Sequence, residues 1–119
     1  MARDPRAYLW DMRDAARNVS RFTAGASFAE YLADDMLRSA VERQMQNMGE
    51  ALAQLARIDP ALAARVRDHA QIIGFRNVLV HGYVTLNHRR VWDTLQTQLP
   101  GLQSDLEALL LELDPQSPP

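Results

Sequence analysis

Apolar residues recur at three- and four-residue intervals along most of the chain, and this helical period predicts the elements. Tyr8, Met12, Ala15, Val19 and Phe22 line one face of a first helix over residues 5–22, with Arg6, Arg13, Arg17 and Arg21 largely off that face. Pro5 suits a first helical position and Asp4 can cap it. Gly25 suits the left-handed residue that ends a helix, and Ser27 with Glu30 forms a capping box for the next one. That second segment is expected to break or bend near Asp34 and then run to about Arg57 on the stripe Leu37, Val41, Met45, Met48, Leu52 and Leu55. The methionines Met36, Met45 and Met48 suit adaptable packing, for the most part in the core.

Asp59-Pro60 stops this helix and starts a short one over Ala61 to Val66. The run Ile72, Ile73, Phe75, Val78, Leu79 and Val80 is β-branched enough to pass for a strand. Helix is preferred, because no second strand exists to pair with it. Gly82 then terminates the segment, and Gly74 reads as a turn. Asn87 caps a last stripe, Val91, Leu95, Leu99, Leu102, Leu106, Leu109 and Leu113, which Pro100-Gly101 should kink or split. The sum is an all-α, antiparallel four-helix bundle with one short extra helix. It forms one domain over residues 1–119, ordered from about 4 to 113 and frayed at 114–119.

The chain has 119 residues and 47% hydrophobic content, enough for one core. Nothing in it reads as a membrane span or a signal peptide, which makes the cytoplasm the simplest location. With no cysteine, disulfides and thiolate metal sites are excluded. The histidines His69, His81 and His88 lack metal-binding spacing, so neither metal nor cofactor is expected. The net charge of −2 argues against a nucleic-acid partner, but its distribution argues the other way. All 13 basic residues are arginine. Between Arg65 and Arg90 there are five of them against one acid, Asp68, whereas the chain after Gly101 carries acids and no base.

Polar chemistry intrudes at Arg76-Asn77-Val78-Leu79-Val80-His81-Gly82-Tyr83. A histidine in the last turn of a helix has its imidazolium favoured by the helix dipole, while a nearby arginine opposes it. Arg76 offers a planar fork that matches phosphate oxygens. An Arg and a His on one phosphate would suit RNA cleavage, with His81 moving the proton and Arg76 stabilising phosphoryl charge. Positions 76 and 81 are about 140° apart on an ideal helix. A two-fold homodimer is the favoured way to bring two copies of the segment together. Taken singly, Arg76 reads as an ion-pair residue, His81 as a structural histidine and Tyr83 as a packing residue.

Arg76-x4-His81-Gly82-Tyr83 resembles the Arg-x4-His-x-Tyr motif of the HepT-like toxins (the DUF86 family) of the HEPN superfamily. The framework around it resembles the family too, in Arg6-Ala7-Tyr8-Leu9-Trp10-Asp11, Phe22-Thr23-Ala24-Gly25, Ala40-Val41-Glu42-Arg43, Ile72-Ile73-Gly74-Phe75-Arg76-Asn77 and Val91-Trp92 with Leu99-Pro100. The resemblance covers residues 3 to 113. It implies a helical homodimer with the motif at the interface cleft, acting as a metal-independent endoribonuclease on messenger or transfer RNA. It also implies the toxin role in a type VII-like toxin–antitoxin system, with an MntA-like nucleotidyltransferase antitoxin that transfers AMP to Tyr83. Arg76 and His81 match the catalytic pair. Asn77 matches a polar residue that positions the His or the substrate, and Glu50 a supporting position on the second long helix. A reading of another class is a non-catalytic helical subunit that docks the nucleotidyltransferase.

Overall fold

A computed structural model describes residues 3–81 and 86–113, without the side chain of His81. The described residues form helices α1 (Pro5–Thr23), α2 (Phe28–Ala33), α3 (Asp35–Ile58), α4 (Pro60–Ala63), α5 (His69–His81), α6 (His88–Thr97) and α7 (Leu99–Leu113). The expected all-α class holds, and the breaks before α2, α3 and α4 have local chemical causes.

The Asp4 carboxylate accepts from the Arg6 amide at 2.9 Å and opens α1. Gly25 follows with φ +75°, a conformation that costs glycine least. Ser27 and Glu30 then exchange side-chain and backbone bonds, both at 3.1 Å, in a complete capping box. Asp34 splits the second segment. Its extended backbone ends α2, and its carboxylate accepts from the Leu37 amide at 3.0 Å to start α3. A bend at Asp34 is thus a true break, so the bundle has two short helices where one was expected.

Asp59 caps α4 through the Leu62 amide at 3.1 Å, and α4 ends at Ala63, short of Val66. Asp68 takes φ +57° and turns the chain into α5. Gly74 lies inside α5, not at a turn. Its neighbours keep the helical ladder, and nothing lies within 4 Å of where its Cβ would be, so an Ala would fit there as well. The last stripe splits at Gln98, and Pro100 falls in the first turn of α7, where its missing N–H costs no hydrogen bond.

The expected stripes meet in one core. Leu9, Met12 and Val19 of α1, Val41, Met48, Leu52 and Leu55 of α3, and Leu106 of α7 are wholly or almost wholly buried. Truncating such a side chain to Ala typically costs about 2–5 kcal/mol. Tyr31 of α2 is also fully buried and lies 5.1 Å from Trp92 of α6, ring centre to ring centre. Met36 departs from the expectation for the methionines: it is 84% exposed.

Helix α5 differs from the others. It packs chiefly on α3. It is apolar around most of its circumference, yet no residue from 69 to 80 is fully buried, and Val78 and Val80 are exposed. No helix among the described residues is long and apolar enough to cross a membrane.

Candidate functional site

The site residues lie where α5 crosses α3. Gly49 is buried on α3 directly beneath the Arg76 stem. A Cβ at position 49 would overlap Arg76 Cβ and stand 2.9 Å from Arg76 Cγ and 3.1 Å from the Ile72 carbonyl oxygen. The absence of a side chain at Gly49 therefore lets the two backbones approach and seats Arg76 against α3.

The next residue, Glu50, receives the guanidinium. Arg76 Nη2 donates to Glu50 Oε2, and Arg76 Nη1 donates to Asn77 Oδ1 at 2.8 Å. Gln54, one turn further along α3, donates to the other Glu50 oxygen at 3.1 Å. The result is a chain of four side chains: Gln54, Glu50, Arg76 and Asn77. Arg76 is 26% exposed and Glu50 40%, so the pair faces solvent from the crossing. Arg76 Nε is buried without a partner among the described residues. The Gln54 amide, then the Arg76 guanidinium, hold the Glu50 carboxyl below the ordinary carboxylate range, and the Arg57 charge adds to this.

The structure thus brings together Glu50, Arg76 and Asn77 of the expected site. Asn77 bonds Arg76. The His81 backbone closes α5. The His81 side chain, Gly82 and Tyr83 lie outside the described residues, as do residues 114–119. Sequence reasoning missed Gly49 and Gln54. The signal for Gln54 was its four-residue spacing from Glu50 on a helix. Gly49 had no local signal, since only the crossing helix explains it.

The charge picture changes as well. The arginine-rich window does not stand free. Arg65 pairs with Glu112 at 2.7 Å and Arg67 with Asp105 at 2.9 Å, while Arg89 pairs with Asp93 at 3.3 Å on its own helix. Arg17 of α1 takes Glu107 at 2.6 Å. Asp105, Glu107 and Glu112 are the partners of bases that lie far away in sequence. Gly101 contributes by leaving room for the Arg67 guanidinium, which a Cβ there would meet. The local excess of positive charge expected around Arg76 is therefore largely neutralised within the chain.

Among the described residues, a cavity of about 40 Å³ lies between α3, α5, α6 and α7, lined by Met45, Met48, Ile72, Leu95, Leu99 and Leu102 among others. It is too small to hold a nucleotide. The solvent-facing Glu50–Arg76–Asn77 set is the better candidate for contact with a large polar ligand.

Known proteins align along almost the whole chain. The family described as Ribonuclease HepT-like matches residues 12–109. A protein of Methanocaldococcus jannaschii named "Putative RNase MJ1380" is 27% identical over 105 residues, covering 88% of this chain and 95% of that protein. One of Caldanaerobacter subterraneus subsp. tengcongensis named "Putative RNase TTE0752" is 27% identical over 106 residues, 89% of this chain and 94% of its own. A "Probable ribonuclease HepT" of Thermococcus cleftensis is 27% identical over 113 residues, 92% of this chain and 98% of that protein. No solved structure matches the chain significantly. The match over residues 12–109, on an all-α bundle with Arg76 mounted at a helix crossing, places this chain in the HepT-like ribonuclease family.

Proposed function

We propose that the protein is a metal-independent RNA endonuclease and the toxin of a toxin–antitoxin pair, with Arg76 and His81 as its catalytic pair. The observation that carries this reading is the mounting of Arg76. In a chain of the ribonuclease family, the arginine of the Arg-x4-His-x-Tyr motif is held at a solvent-facing crossing by Glu50 and Asn77. An arginine oriented before substrate arrives loses little freedom on binding a phosphate, and its fixed charge stabilises the phosphoryl oxygens as the negative charge builds.

In the proposed reaction the 2′-oxygen attacks the adjacent phosphorus and the 5′-oxygen leaves. His81 takes the 2′-hydroxyl proton or supplies one to the leaving oxygen. The products are a 2′,3′-cyclic phosphate and a 5′-hydroxyl. A homodimer across α5 completes the cleft. The support for it is that α5 is apolar on most sides and has no fully buried residue between 69 and 80, a pattern that calls for a covering surface. Tyr83, two residues beyond His81, is the acceptor for AMP from a nucleotidyltransferase partner. The added negative charge would repel RNA from the cleft.

A test uses purified protein, excess chelator and paired RNA and DNA oligomers of one sequence. The RNA is cut to cyclic-phosphate ends, and the DNA survives because it lacks the nucleophile. Arg76→Ala slows cleavage by about 100-fold or more. Cleavage by Arg76→Ala and His81→Ala at the parent's rate sinks the assignment.

One observation favours a second reading. Both terminal nitrogens of Arg76 already have partners within the chain, as a purely structural arginine would. On that reading the protein is a helical subunit that docks the nucleotidyltransferase. Expression without the partner then leaves bacterial growth unchanged, whereas the ribonuclease arrests it.

A further inference from the structure

Most arginines in this chain are paired. Nine of the 13 form ion pairs with acids among the described residues. Arg21 donates to Asn18 and lies over the Phe22 ring. That leaves Arg43, Arg57 and Arg90, all exposed and with no side-chain hydrogen bond or ion pair among the described residues, although the Arg57 charge acts on Glu50.

Two of these three are related by geometry. Arg43 and Arg57 both lie on α3, each seven residues from Glu50. Seven residues bring an α-helix back to within about 20° of the same direction. Arg43, Glu50 and Arg57 therefore share one line along α3, with the amides of Asn47 and Gln54 between them. At about 1.5 Å per residue, each arginine stands roughly 10 Å from Glu50 along the axis. Glu50 is the residue that holds Arg76, so the line passes directly beside the proposed reacting site. Its one acid is shared with Arg76 and Gln54, and it leaves two positive charges over.

We infer that this line of α3 is a tracking strip for the RNA backbone, on which Arg43 and Arg57 take substrate phosphates on either side of the one that Arg76 addresses. Asn47 and Gln54 offer amides to the riboses between. The strip carries affinity without sequence preference, as backbone contacts do. It also supplies the positive charge that the Arg65 to Arg90 window loses to internal ion pairs. The inference rests on the ribonuclease reading of Arg76.

The experiment measures binding of a fluorescein-labelled 2′-O-methylated oligoribonucleotide, which keeps the phosphates and lacks the nucleophile, over a series of salt concentrations. Gln replaces Arg at little cost in helix propensity, so Arg43→Gln and Arg57→Gln are expected to fold. Each lowers the slope of log affinity against log salt by about 0.7, the value for one phosphate contact on a single strand, and the double variant by about 1.4. Arg90→Gln leaves the slope at the parent value. A double variant with the parent's slope overturns the strip alone when Arg76→Ala still slows cleavage of unmodified RNA by about 100-fold or more, and overturns it together with the ribonuclease reading when Arg76→Ala does not. An Arg90→Gln effect as large as that of Arg43→Gln also overturns it, by assigning binding to basic surface in general. A parent protein that neither binds nor cuts RNA overturns the strip and the ribonuclease reading together.

Discussion

Gly49 and Arg76 occupy one space that only one of them can fill: a Cβ at position 49 would overlap Arg76 Cβ and reach the Ile72 carbonyl. Backbone and stem atoms form this contact, so no rotamer change relieves it. The close approach of α5 to α3 and the placement of the Arg76 guanidinium on Glu50 are consequences of the same missing side chain.

Gly49→Ala therefore has two effects. Although Ala is the better helix former, the overlap forces α5 away from α3 and costs about 1–3 kcal/mol, read from urea denaturation. On the ribonuclease reading, RNA cleavage falls by more than the unfolded fraction explains, because Arg76 no longer meets Glu50. A variant with parental stability and activity contradicts the close approach.

Glu50→Gln separates orientation from stability. The pair is partly exposed, with side-chain exposures of 26% and 40%, and such pairs contribute at most about 1 kcal/mol. The urea midpoint should shift little. Cleavage should drop clearly, since Arg76 then has no charged anchor. A large loss of stability with unchanged specific activity would make Glu50 a structural residue only.

Acid should destabilise the fold in a definite window. Asp4 is lowered to about 2 by the Arg6 side chain and backbone amide. Glu50 is lowered by Gln54 and then Arg76, and Glu112 by Arg65. A carboxyl whose folded pKa is depressed stabilises the fold fully above its unfolded pKa, and that stability is lost as pH falls through the folded value. The urea midpoint is expected to hold from neutral pH to about 5 and to fall between roughly 4 and 2. Asp4→Asn should flatten the lower part of that fall. A midpoint that rises on acidification below 4 contradicts these pairings.

Tyr31→Phe should be neutral or stabilising. The ring is fully buried against Trp92, and its hydroxyl has no partner among the described residues. Burial pushes the phenol up to about 12. Removing a buried hydroxyl that lacks a hydrogen bond keeps the packing and relieves a desolvation cost of about 1–3 kcal/mol. Destabilisation by more than about 1 kcal/mol, measured by thermal melting of both proteins, would mean that the hydroxyl has a partner.

Helices were legible in the sequence because their causes are local. The stripe Val91, Leu95, Leu99, Leu102 and Leu106 is buried as its period requires, and Asp4, Ser27, Asp59 and Asn87 cap the helices they precede. Each depends on residues within about four positions, the range of a helical hydrogen bond. The family motif was legible for the same reason, since Arg76, His81 and Tyr83 fall within eight residues.

Charge was not legible in this way. The sequence keeps its arginine-rich window apart from the acids after Gly101, yet folding joins Arg65 to Glu112 and Arg67 to Asp105. Coulomb attraction depends on distance in space, which composition along the chain does not report. The role of Gly49 was hidden for a related reason: a missing side chain has meaning only once another helix lies across it. The sequence alone determined the helices, their stripes and caps, and the candidate residues. Tertiary structure decided which residue orients Arg76, which arginines remain unpaired and where positive charge survives, because each depends on the packing of elements distant in sequence.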